Sequence, residues 1–246
     1  MDLVAALLDL VVPQSCGGCG LPGCRLCTSC ATALAGIADR PLGRTTPSPV
    51  PAGFPLAATA ATYDGVVRAA LVAHKERGRL GLVRPLGQAL AAAVIRLDPP
   101  VGVVLVPVPS ARAAVRARGH DHARRLARAA AAELTAAGRP ATALPLLRSA
   151  RAVSDQAGLG SAGRAANLAG ALAAVRSLSG LIVVIVDDLV TTGATLVEAA
   201  RALAAAGAQV HGAATVAATQ RRPVTNGVPL SANGLCPGGD PGATVR

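Results

Sequence analysis

From Leu181 to Val186 the chain is an unbroken aliphatic run, rich in β-branched residues, that meets two adjacent carboxylates, Asp187 and Asp188. Leu189 and Val190 then lead into the turn Thr191-Thr192-Gly193-Ala194-Thr195. Apolar at every position, the run fits a strand buried on both faces of a parallel sheet. Beyond it Leu196, Ala199, Ala200, Leu203 and Ala206 recur at helical spacing, and Gly207 supplies a stop. A strand that feeds a helix puts the turn at the carboxyl edge of the sheet, where open α/β sheets bind ligands.

The residue types in that turn suit an anion. N–H groups at a helix start form a nest that the hydroxyls of Thr191, Thr192 and Thr195 can extend. Gly193 removes the side chain that would hold a phosphate off the backbone. Each N–H bond to a charged group is worth roughly 1.5–3 kcal/mol, so three or four can retain a phosphomonoester. The acids repel that phosphate and make sense as acceptors for a neighbouring diol, such as the 2- and 3-hydroxyls of a ribose. A second glycine pattern, Gly158-Leu159-Gly160-Ser161-Ala162-Gly163, follows polar residues instead of a strand and lacks the context of a dinucleotide fingerprint.

With 246 residues the chain can build one α/β core and a small appendage. Its net charge of +11 suits an acidic ligand, whether a diphosphorylated sugar or a nucleic acid backbone. Phe54 and Tyr63 are the only aromatics and Lys75 the only lysine, so base stacking would fall to arginine. No apolar stretch is long and regular enough to span a membrane. Leu3, Leu7, Leu10 and Val11 share one face of a short amphipathic helix, flanked by Asp2 and Asp9 where a signal peptide would be basic. These features lead us to expect a cytoplasmic protein.

Cys16, Cys19, Cys24, Cys27 and Cys30 cluster within fifteen residues punctuated by glycine. Paired C-x-x-C knuckles suit tetrahedral thiolate coordination of zinc, and an odd count fits a disulfide framework poorly. The outer pairs Cys16, Cys19, Cys27 and Cys30 are the ligand set we expect, with Cys24 an alternative. Such a site is structural, since four thiolates leave no open position. We therefore expect an amphipathic helix and zinc module over 1–35, a linker over 36–56, a sheet domain over 57–222, and a disordered Gly/Pro-rich tail with Cys236 over 223–246.

Within the sheet domain, Ala57–Tyr63 reads as a strand, and Val66–Lys75 and Leu82–Arg96 as helices. Val103–Pro109 reads as a second apolar strand, followed by Ser110, Ala111 and Arg112. Arg116, Arg118 and His120-Asp121-His122 then open a long alanine-rich helix to about Ala137. Arginine binds phosphate bidentately, so Arg112 and Arg118 are candidates for a pyrophosphate loop. His120 and His122 invite a metal reading, for which no further ligand is evident.

The run from Asp187 to Thr195 closely resembles the signature of type I phosphoribosyltransferases, which bind 5-phosphoribosyl 1-diphosphate (PRPP). The resemblance implies an open, mostly parallel sheet flanked by helices. It makes Asp187 and Asp188 the catalytic acids on the ribose hydroxyls. Val190, Thr191, Thr192, Gly193, Ala194 and Thr195 become the 5-phosphate loop. The order of the cysteine knuckles, Tyr63 with Lys75, Val106-Pro107-Val108-Pro109, Arg118-Gly119, Gln156, Arg164, Asn167 and the signature is similar to that of the ComF competence family. It implies that Ser110, Ala111, Arg112 and Arg118 bind pyrophosphate, and that Arg148–Arg164, with Gln156 and Arg164, forms a flexible flap. The segment Arg118-Gly119-His120-Asp121-His122 departs from the family's usual Arg-Gly-Phe-Asn-Gln. Mg²⁺ would accompany PRPP. Two functions follow: a transferase of unknown acceptor, or a non-catalytic PRPP sensor that binds single-stranded DNA or DNA-processing proteins during DNA uptake. Sheets of this kind often pair as homodimers.

Overall fold

The computed structural model describes residues 15–151 and 167–219. Six strands form the main sheet: β1 (Gly43–Arg44), β2 (Ala57–Thr62), β3 (Val104–Pro107), β4 (Thr142–Ala143), β7 (Ile182–Val190) and β8 (Gln209–Ala218). They lie in the order β1-β2-β8-β7-β3-β4, parallel throughout except for β1. A separate antiparallel ribbon joins β5 (Leu147–Ser149) to β6 (Leu172–Ala174). The helices are α1 (Thr28–Asp39), α2 (Gly65–Arg77), α3 (Val83–Ile95), α4 (Arg112–Arg118), α5 (His122–Ala136) and α6 (Ala194–Ala205).

Strand alternation sorts the core into two layers. Leu105, Val184, Val186 and Val216 face one side, where Leu34 of α1, Leu71 of α2, Leu86 and Leu90 of α3, and Leu126 and Leu134 of α5 cover them. Val106, Val183, Ile185 and Ala213 face the other side, under Leu196 and Leu203 of α6 and Leu147 and Leu172 of the ribbon. Each fully buried leucine contributes roughly 1.5–3 kcal/mol through area removed from water. Alanine and glycine let elements come close: a Cβ on Gly87 would stand 2.5 Å from that of Ala129, so α3 and α5 touch nearly backbone to backbone.

Several expected elements change on folding. The strand expected over Leu181–Val186 continues through both aspartates to Val190, because Asp187, Leu189 and Val190 pair with Thr215, Ala217 and Ala218 of β8. The single long helix expected from the Arg118 region is two. Gly119, at φ 72°, turns the chain after α4, and Asp121 accepts from Arg124 N to start α5. Helix α1 runs past residue 35, and Leu34 on it joins the main core. In the stretch expected as a linker, β1 pairs with β2, and Pro47 and Phe54 pack against Gly193. The N-terminal amphipathic helix, Gln156, Arg164, most of the flap and the tail with Cys236 lie outside the described residues.

The chain leaves β3 toward β4 at one side of the sheet and leaves β7 toward β8 at the other. Turns that diverge from neighbouring parallel strands open a crevice at the carboxyl edge. The turn after β3 and the turn from Thr191 to Thr195 after β7 both lie at this edge.

Candidate functional site

Cys16, Cys19, Cys27 and Cys30 converge so that all four sulfurs lie within 4.8 Å of one another. The five described cysteines are free thiols, and Cys24 stands apart, directed at Leu21 O. Four sulfurs about 2.3 Å from a tetrahedral ion stand about 3.8 Å apart. Cys19 and Cys27 are 3.7 Å apart. Burial pushes the Cys16 thiol up, but N–H bonds from the backbone of Cys19, Cys27 and Gly18 outweigh it and bring it down to about 6. Burial and its sulfur neighbours push Cys30 up. One ready thiolate among soft donors with turn amides behind them fits a structural zinc.

At the crevice, Gly193 takes φ 77° and caps α6 without any side-chain cap. Among the described residues no acceptor meets the N–H groups of Thr191, Thr192, Gly193, Ala194, Thr195 or Leu196, and the first inward bond of the helix runs from Val197 N to Gly193 O. Six successive donors at the positive end of a helix form an anion nest. A Cβ on Gly193 would stand 2.6 Å from the Phe54 ring and 3.0 Å from Pro47, so a strap of chain backs this turn on one side.

The two acids differ because they are neighbours on a strand. Asp188 continues the side of Val184 and Val186 and meets the helix layer. Its Oδ2 accepts from Lys75 Nζ of α2 at 2.9 Å and lies 3.5 Å from His122 Nε2 of α5. Burial alone would raise its pKa, yet His122 and Lys75 outweigh burial and hold the carboxyl well below the usual range. Asp187 is half-buried, and its Oδ1 accepts from Asp188 N at 2.8 Å. Burial, then the charge of Asp188, push Asp187 well above the ordinary value. Asp188 is thus not a free acceptor at both oxygens: Lys75 and His122 occupy Oδ2. Apart from the contact of the two carboxyl groups with each other, Asp188 Oδ1 and Asp187 Oδ2 have no hydrogen-bond partner among the described residues, which leaves one oxygen on each acid for a diol.

The turn after β3 is knit by side chains instead. Ser110 Oγ donates to Asp121 Oδ1 at 3.3 Å and lies 3.4 Å from His122 Nδ1. Ala111 caps α4, which Arg112 opens. Arg118 stands at the other end of α4, where Nε donates to Ala114 O at 3.0 Å and a terminal nitrogen pairs with Glu76 at 3.4 Å. Burial lowers Lys75 and the charge of Arg118 adds a little to that, but the pull of Asp188 leaves Lys75 raised overall. Both cations are held by carboxylates, Lys75 by Asp188 and Arg118 by Glu76.

Behind the mouth, His74 is fully buried, and neither ring nitrogen has a hydrogen-bond partner. Burial pushes its pKa down, while carbonyls of His122 and Arg79 lie near enough to favour a proton without reaching bonding geometry. His120 fills the next space, bonding Arg118 O and His74 O. With its ring nitrogens so placed it joins no metal cluster with His122 among the described residues. No contact with Asp188 was expected of Lys75 or His122 from the sequence, although both close on it. The signals for Lys75 were its place with Tyr63 in the order of motifs and its being the chain's sole lysine.

The family model described as the phosphoribosyl transferase domain matches residues 120–229, which take in α5, β4 to β8 and the Thr191–Thr195 turn. No protein of curated function matches the chain. No helix among the described residues is long and apolar enough to cross a membrane.

Proposed function

We propose that this chain, which carries a phosphoribosyl transferase domain beside a cysteine cluster fit for zinc, binds PRPP in the crevice between the turns after β3 and β7 and transfers its phosphoribosyl group. The observation that carries the reading is the row of six N–H groups from Thr191 to Leu196 that meet no acceptor among the described residues, two strand residues beyond an acid pair with an oxygen open on each side chain. The 5-phosphate sits on that nest. Asp187 Oδ2 and Asp188 Oδ1 accept from the ribose hydroxyls, and the diphosphate points toward Ser110 and Lys75.

In the reaction the bond from ribose C1 to the diphosphate oxygen breaks, and the diphosphate leaves with the electron pair. A nitrogen nucleophile forms the new bond to C1. Rigid holding of the ribose and positive charge on the leaving side are what the protein supplies. Mg²⁺ fits hard oxygen donors such as Asp187 and would neutralise diphosphate charge when bound with substrate. The acceptor stays open, because Phe54 and Tyr63 are the chain's only aromatics and offer little surface to stack a base.

In this reading residues 57–222 form the transferase domain, 1–35 the metal module and 36–56 the connection. The protein is cytoplasmic and a ComF-like component of DNA uptake. A groove of ≈ 450 Å³ between the knuckle residues Cys16–Gly20 and α2, with Arg68 and Arg77 on its wall, favours a second reading. In that one the chain senses PRPP and binds single-stranded DNA there. Calorimetric titration with PRPP, with and without Mg²⁺, tests the first reading. Binding abolished in Asp187→Asn/Asp188→Asn supports it, and diphosphate release with a nitrogenous acceptor separates transferase from sensor. Failure of the folded wild-type protein to bind PRPP overturns both.

A further inference from the structure

His122 is 6% exposed and opens α5, yet it touches both walls of the crevice. Nδ1 lies 3.4 Å from Ser110 Oγ on the turn after β3, and Nε2 lies 3.5 Å from Asp188 Oδ2 on β7. Donor counting gives two of the contacts a direction. Asp121 can only accept, so the Ser110 hydroxyl donates to it, while the direction of the contact between Ser110 Oγ and Nδ1 follows the His122 tautomer. Asp188 likewise can only accept, so Nε2 donates to it. One ring therefore ties a loop hydroxyl to a strand carboxylate, with both nitrogens used.

Its surroundings allow little other motion. Lys75 occupies the same Asp188 oxygen from α2, Asp121 holds Ser110 from the far side, and His120 is fixed by two carbonyls. These side chains form one chain of contacts, Asp121–Ser110–His122–Asp188–Lys75, that crosses the crevice mouth. None of the contacts reaches the Thr191–Thr195 turn.

Resting on the PRPP reading above, we infer that His122 is a positioning residue that holds the diphosphate-side loop in register with the ribose-side carboxylate. It serves the part of the ligand that spans both walls, and the 5-phosphate nest is independent of it. Ribose 5-phosphate and PRPP share the sugar and the 5-phosphate, and only PRPP carries the diphosphate. Loss of the His122 bridge should therefore weaken PRPP and spare ribose 5-phosphate.

The test is calorimetric titration of each ligand, with Mg²⁺, into the full chain and its His122→Leu, His122→Gln and Ser110→Ala variants, with melting curves for each. A lost bond to a charged partner is worth about tenfold, so His122→Leu should bind PRPP about tenfold more weakly and ribose 5-phosphate within about twofold of wild type. His122→Gln, whose amide can donate and accept across the same span, should restore PRPP to within about threefold. Ser110→Ala removes one arm at a half-buried position and should show the same selectivity at about threefold, which keeps the test alive if His122→Leu does not fold. Equal weakening of both ligands, unchanged PRPP affinity in the folded variants, or no rescue by glutamine overturns the inference. Wild-type protein that binds neither ligand overturns the reading beneath it.

Discussion

The cysteine cluster and the crevice are both polar centres built from turns, but they rest on different foundations. Around the sulfurs the chain has little core of its own: Cys16, Cys30 and Leu34 are buried, with Gly17 and Gly18 against Leu82 and Val66, while Cys19 and Leu21 stand in solvent. The crevice sits on the edge of a sheet whose two faces are covered by aliphatic layers. A polar centre without a core must be its own fold, whereas one on a sheet edge can lose a member and keep its frame.

Chelation should give the largest effect and tests that contrast directly. A structural zinc contributes on the order of 10 kcal/mol to the segment it organises. Removal should open residues 15–27 to protease while the sheet domain stays intact, read by mapping the cleavage sites. Protease cutting spread through β7 and α6 would erase the distinction.

Asp188→Asn comes next. It leaves Lys75 and the buried His122 without their carboxylate, and breaking such a pair costs about 3 kcal/mol, reduced here by the exposure of Lys75. Urea denaturation should show the loss with one cooperative transition retained. Gly193→Ala should cost about 1–2 kcal/mol for φ 77° and press a methyl toward Phe54, lowering PRPP affinity more than stability.

The smallest effect has the opposite sign. The raised pKa of Asp187 means its charge opposes folding near neutrality, and that cost disappears as acid protonates it. Asp187→Asn should therefore stabilise the chain slightly at neutral pH, with the gain fading as pH falls below the raised folded value. Asp188, held low, stabilises above the ordinary carboxylate range and loses that contribution as pH falls toward its depressed value. Denaturation curves for the two asparagine variants should thus diverge at neutral pH and approach one another in acid.

What could be read beforehand was whatever depends on short stretches of chain. The aliphatic run of β7, the Thr191–Thr195 turn and the cysteine spacing each carry their physics within a dozen residues. Strand β8 was not legible, because Ala213, Ala214, Ala217 and Ala218 favour helix by propensity and become strand only between β2 and β7. The division of α4 from α5 turns on one left-handed glycine in an arginine-rich stretch that reads as helix. Lys75 and His122 are 113 and 66 positions from Asp188, by subtraction of their numbers, and only the stacking of α2 and α5 over β7 brings them together.

Phe54 has a bearing that reaches beyond its own packing. It ends a stretch anchored at the other end by β1, and α1 with two of the four sulfur positions at its start lies just upstream. The backbone that would wrap a phosphate is thus leaned upon by the chain that carries the knuckles. Gly193 therefore shares its close packing with the stretch of chain that continues from the cysteine cluster.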